Sequence, residues 1–246
     1  MNSESSSKLA GFPIKDTWQD KVSFLLENGW NFELVPILLN RFSAREVIGL
    51  LNEAGKSDSW IVTGLDRGKI KDQEIISTLV FLGRSDQRIV EALTNASDWE
   101  FKRVVAVLVE SKWEDRRIIV TLMGSVGWSD EVILRALQDN KWEGRKVGQV
   151  LTDAGWTMKR VFQAAIVAGW TDENIIKIPI SEKQAVETLV GMAWADIRIV
   201  KAMSQAEWND SLIVQTLLII DWSDTRVVST LSCAGWTDER IIVASF

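Results

Sequence analysis

Apolar residues recur along this chain in a block that repeats about every fourteen positions. With a tryptophan as position zero, they fall at five, six and nine, and often at ten and thirteen, while positions one to four are mostly polar. On a helix of 3.6 residues per turn this spacing makes two adjacent apolar stripes, so each block predicts one short helix buried on two sides. The frame is set by Trp99, Trp113, Trp128, Trp142, Trp156, Trp170, Trp194, Trp208, Trp222 and Trp236. The twenty-four residues between Trp170 and Trp194 hold one ordinary unit and one shortened to ten, with Pro179 at the junction and Ile180 in the tryptophan place. Upstream, Arg84, Ile70, Lys56 and Phe42 continue the frame, with Leu93, Leu79, Leu65 and Leu51 nine residues later. Trp30 and Trp18 begin two further units, making seventeen in all.

Each unit carries its own start and stop signals. Trp222-Ser223-Asp224-Thr225-Arg226-Val227-Val228 places tryptophan just outside a helix, serine at the cap and aspartate at the first helical position. The first of the paired Ile/Val residues then stands at the fourth, which completes a hydrophobic staple with the tryptophan. The serine oxygen suits a free first-turn N–H, and the aspartate suits the positive end of the helix dipole. Ala-Gly before the next tryptophan supplies a stop, because glycine tolerates the left-handed conformation that ends many helices. Position eight is small, as in Gly64, Thr78, Ala92, Ala136, Ala164 and Ala202, which allows close helix packing. Positions three, four, seven and eleven are polar and variable and form the expected solvent face.

A ten-residue helix is about 15 Å long, and a link of about four residues cannot return that far, so successive helices are expected to run antiparallel. A continuous coiled coil is excluded because Gly, Ser/Thr and Asp interrupt every second heptad. The expected fold is an all-α solenoid of about seventeen single-helix repeats over residues 17–246, preceded by a polar, Ser-rich, disordered tail over 1–16. In general plan it resembles α-solenoids such as HEAT, armadillo and TAL-effector arrays, although no motif here matches one of those families closely.

Composition narrows the function. The 246 residues include thirteen Trp but no His and no Tyr, and the net charge is -6. An acidic chain is not built to coat nucleic acid or anionic membrane indiscriminately, and the most apolar stretch, 212–220, is too short to span a bilayer. A single cysteine, Cys233, gives no intramolecular disulfide and favours a reducing, cytoplasmic setting; a buried, inert thiol is expected. Without His, Ser-His or Cys-His pairs, a Gly-rich phosphate loop or metal-ligand spacing, the chain offers little to catalysis, and no metal or cofactor is expected.

Two columns of residues remain as candidates. The ten tryptophans could be an aromatic ladder for bases or sugars, but their staple position predicts structural anchors. A cation recurs at position four, where it opposes the helix dipole and calls for an acidic partner, for which Asp at position two of the same or a neighbouring unit is suited. In the central units position three is basic as well, giving Lys102-Arg103, Arg116-Arg117, Arg145-Lys146 and Lys159-Arg160, and the aspartate is missing from three of these four, with Phe101, Gly144 and Met158 in its place. Residues 99–160 carry 11 basic and 9 acidic side chains between acidic flanks. The leading expectation is a non-catalytic scaffold for a protein or peptide partner; the alternatives are phosphate-backbone binding through the basic pairs and self-assembly through the terminal repeats. Because the four pairs belong to units alternating in direction, they are expected to split between opposite edges.

Overall fold

The computed structural model describes residues 34–179 and 181–245, together with Asp20, Lys21, Phe24, Glu27 and Phe32. The expected tail over 1–16, Trp18, Trp30, Ile180 and Phe246 lie outside the described residues. Among the described residues there are sixteen helices and no strand. Contacts divide the chain into two compact units, Met1–Trp128 and Ser129–Phe246.

The first unit contains α1 (Leu34–Leu39), α2 (Ala44–Glu53), α3 (Asp58–Arg67), α4 (Asp72–Phe81), α5 (Asp86–Thr94), α6 (Phe101–Glu110) and α7 (Asp115–Gly124). In it every helix packs on the next and on the next but one. The second contains α8 (Asp130–Asp139), α9 (Gly144–Asp153), α10 (Met158–Val167), α11 (Asp172–Ile176), α12 (Glu182–Gly191), α13 (Asp196–Gln205), α14 (Asp210–Ile219), α15 (Asp224–Cys233) and α16 (Asp238–Ala244). From α11 onward it shows the same packing. Each unit is thus a stretch of helical-repeat solenoid with one helix per repeat.

Position one is the N-cap wherever the sequence places it. Ser57, Thr157 and Ser223 accept from the backbone N–H three residues on, and Asn209 does so at 2.8 Å from Leu212. Lys71, Glu100, Glu114, Glu143 and Ala195 occupy the cap without a side-chain hydrogen bond. The stop signal is wider than Ala-Gly. From Gly55 onward the residue before the tryptophan position takes positive φ, Pro179 excepted, and Lys69, Asp98, Lys112, Lys141, Ala193, Glu207 and Asp221 do so as well as glycines. In the fourteen-residue repeats the tryptophan N–H then donates back to the carbonyl of position nine, as in Trp156 to Leu151 at 3.0 Å and Trp236 to Leu231 at 3.0 Å, whereas Trp128 donates to Ser125. The bond to position nine is the six-to-one bond of a Schellman motif, so the tryptophan that staples one helix also closes the preceding one.

Small residues at position eight bring helices together as expected. A Cβ on Gly64 would lie 2.9 Å from the Val35 side chain, so α1 and α3 depend on its absence. A tighter approach occurs at the shortened repeat. There a Cβ on Gly148 would meet the Ile178 carbonyl oxygen at 2.1 Å, which only glycine permits.

Candidate binding surfaces

The position-four cations are built into the packing of alternate helices. Arg117 at the start of α7 donates Nε and Nη2 to the two carboxylate oxygens of Asp86, the first residue of α5, at 2.7 and 2.6 Å. Arg160 of α10 holds Asp130 of α8 in the same way, both bonds at 2.7 Å. Arg198, Arg226 and Arg240 hold Asp172, Asp196 and Asp210 with the same fork. Each guanidinium also lies over the indole of its own repeat: Arg117 is 3.9 Å from the Trp113 centroid, Arg160 4.0 Å from Trp156 and Arg198 3.6 Å from Trp194. The cation therefore gains a carboxylate fork and an aromatic face together, which offsets its poor placement near the positive end of the dipole.

These pairs fix helix direction. The N-terminal turns of α5 and α7 touch through Asp86 and Arg117, while the intervening α6 must leave the C-terminus of α5 and end close to the start of α7. Helix α6 therefore runs antiparallel to both. In the second unit Asp196–Arg226 and Asp210–Arg240 likewise join the N-terminal turns of α13 and α15 and of α14 and α16, so α14 and α15 run antiparallel to their neighbours.

Several sequence candidates are thereby placed. Arg103 is held by Asp72 and by Asp66, at 2.7 and 2.5 Å, with its guanidinium 4.0 Å from the Trp99 ring. Arg117 and Arg160 are in the forks above, and Lys146 lies 4.1 Å from the Trp142 ring. The position-three cations Lys102, Arg116, Arg145 and Lys159 are exposed. Within the first unit Lys102-Arg103 and Arg116-Arg117 begin adjacent, oppositely running helices, and so lie at opposite ends of them. Of the ten tryptophans, eight are buried, while Trp142 and Trp208 are half-buried.

The distribution of aspartates follows from the same pairing. From α1 to α14 a first-turn Asp is present where the repeat two places later carries the cation and absent where it does not. Phe101, Gly144 and Met158 are followed two repeats later by Val132, Asn174 and Gln184. Aromatic contacts replace the ion pair in places: Phe32 stacks on Trp60 at 4.6 Å, and Phe101 meets Trp128 edge-on at 4.8 Å. The partner lies two repeats away, a spacing of 26 to 31 residues, and that offset is visible in the sequence once successive helices are taken to alternate.

Electrostatics follow the forks. Hydrogen bonding to Arg117 holds the Asp86 carboxyl below its ordinary value, and Arg240 does the same for Asp210. The guanidinium of Arg103 is pushed up by Asp72, and those of Arg160 and Arg198 by Asp130 and Asp172.

A different surface was not read from the sequence. Positions ten and eleven hold exposed apolar residues in alternate helices: Val80 and Phe81 in α4, Val109 in α6, Ile166 and Val167 in α10, Val190 in α12, Leu218 and Ile219 in α14. Phe81 and Val167 are each 62% exposed and Ile219 58%. The intervening α3, α5, α9 and α13 place Asp66-Arg67, Thr94-Asn95, Thr152-Asp153 and Ser204-Gln205 there, and α7 places Met123 and Gly124. Even-numbered α2 and α8 are polar at these positions. Position ten, expected to be buried, is thus an exposed apolar site at the C-terminal turn of alternate helices. Its signal in the sequence is the alternation itself, which a one-unit consensus averages away. Cys233 is also exposed, against the expected buried thiol, because position eleven faces outward.

Among the described residues no group of three His, Cys, Asp or Glu side chains is placed to hold a metal ion, and no helix is long and apolar enough to cross a membrane. No protein-family model matches the chain, and no curated protein matches it.

Proposed function

We propose that this chain is a non-catalytic repeat scaffold that binds a protein partner through the apolar C-terminal turns of its even-numbered helices. The observation that carries this reading is the restriction, within each unit taken by itself, of exposed Val, Ile, Leu and Phe at positions ten and eleven to α4 and α6 in the first and to α10, α12 and α14 in the second. Exposed apolar groups placed in a recurring row mark protein contact surfaces, whereas scattered ones do not. The phosphate-binding reading is weaker, since Arg103, Arg117 and Arg160 already have carboxylate and aromatic partners. An exposed free thiol at Cys233 suits a reducing, cytoplasmic setting.

Photo-crosslinking tests the reading. A crosslinker at Val167 or Ile219 is expected to give a discrete protein adduct that one at Ser204 or Ser232 does not. An adduct at twice the chain mass would identify a second copy as the partner. Equal labelling from both sets of positions would reject the stripe as the contact surface.

A further inference from the structure

In the regular layers a guanidinium is held between the indole of its own repeat and a carboxylate two helices earlier. The layer formed by α12 and α14 has the two walls without the cation. Glu182 stands first in α12 and Trp208 precedes α14, yet the arginine position is Leu212. Trp208 is half-buried there, whereas Trp194, Trp222 and Trp236, which carry arginines, are buried at 8%, 4% and 6% exposed. Glu182 and Trp208 line one groove of about 470 Å³ with Glu143, Arg145, Lys177 and Ser181. Its cations do not fill the vacant place. Lys177 is held by Glu173 at 2.7 Å, and Arg145 reaches Glu182 only in a long ion pair of 3.9 Å, without the two-bond fork of the regular layers. The neighbouring departure from regularity is the short α11, whose following loop packs on Gly144 and Gly148 of α9.

We propose that this groove receives an arginine side chain of a partner polypeptide, its guanidinium stacked on Trp208 and paired with Glu182. The bound side chain would reproduce in trans the arrangement that Arg198, Arg226 and Arg240 make within the chain. A planar, weakly hydrated guanidinium fits a fork and a ring face together, whereas an ammonium offers neither the plane nor the fork. The site lies at the N-terminal ends of α12 and α14, and the apolar stripe lies at their C-terminal ends, so each proposal can fail without the other.

The test uses the full chain and three probes, the N-acetyl amides of arginine, lysine and citrulline, read by the indole N–H resonance of Trp208, identified with W208F. The arginine probe is expected to shift this resonance saturably, the lysine probe less, and the uncharged citrulline probe not at all. Glu182→Gln should weaken the arginine probe about fivefold. Leu212→Arg should fill the place from within, abolishing the shift and raising the melting temperature. An unmoved Trp208 resonance, equal shifts from citrulline and arginine, or an unchanged response in L212R would overturn the proposal. Should L212R not fold, the E182Q and citrulline comparisons decide alone.

Discussion

Trp156 belongs to two helices at once. Its backbone N–H closes α9 through the Leu151 carbonyl, its ring lies under Arg160 of α10, and it is 3% exposed. Replacing it removes a buried ring and the aromatic face of a cation together. Trp156→Ala is therefore expected to lower stability by about 3 to 5 kcal/mol in urea unfolding. The carboxylates of the forks give a pH signature. Asp86 and Asp210 titrate below the ordinary carboxylate value when folded. Their contribution is fully present above that ordinary value and is lost as pH falls through the lowered one. The double variant Asp86→Asn, Asp210→Asn should accordingly be less stable than the wild type at neutral pH in urea unfolding, and the difference should shrink as pH falls below the ordinary carboxylate value.

At the scale of the helix, the caps and the staple could be read directly, because Ser/Thr, Asp and a paired Ile/Val at fixed spacing describe one local structure. The stop was only half legible. Glycine before the tryptophan announces a left-handed residue, but Glu207, with φ 63°, adopts it under the pull of the Trp208 N–H bond to Met203 at 3.2 Å. Such a residue carries strain that glycine does not, so Glu207→Gly is expected to raise stability by about 0.5 to 1 kcal/mol in thermal or urea unfolding. Comparable substitution at a relaxed helical position such as Gln163 should do the opposite.

At the scale of the molecule, each unit joins alternate helices through Asp–Arg–Trp contacts and leaves alternate C-terminal turns apolar. The all-α fold and one-helix repeat follow from the fourteen-residue period, since both depend on contacts within a unit. The fork and the stripe depend on contacts two repeats apart, which a unit-by-unit reading does not compare. Thus the basic pairs stood out as a charge excess, although the partner of Arg160 lies 30 residues upstream at Asp130. Because Ile219 is 58% exposed, Ile219→Asp should change unfolding free energy by no more than about 0.5 kcal/mol while removing the crosslinked adduct.

The position-four cations hold alternate helices together, Arg160 on Asp130 among them. A double-mutant cycle on Asp130 and Arg160, with Asp130→Ala, Arg160→Ala and the pair followed by urea unfolding, measures this without reference to any partner. The expected result is a favourable coupling of about 0.5 to 1 kcal/mol that shrinks as salt is raised. Additive losses, with no coupling at low salt, would contradict it.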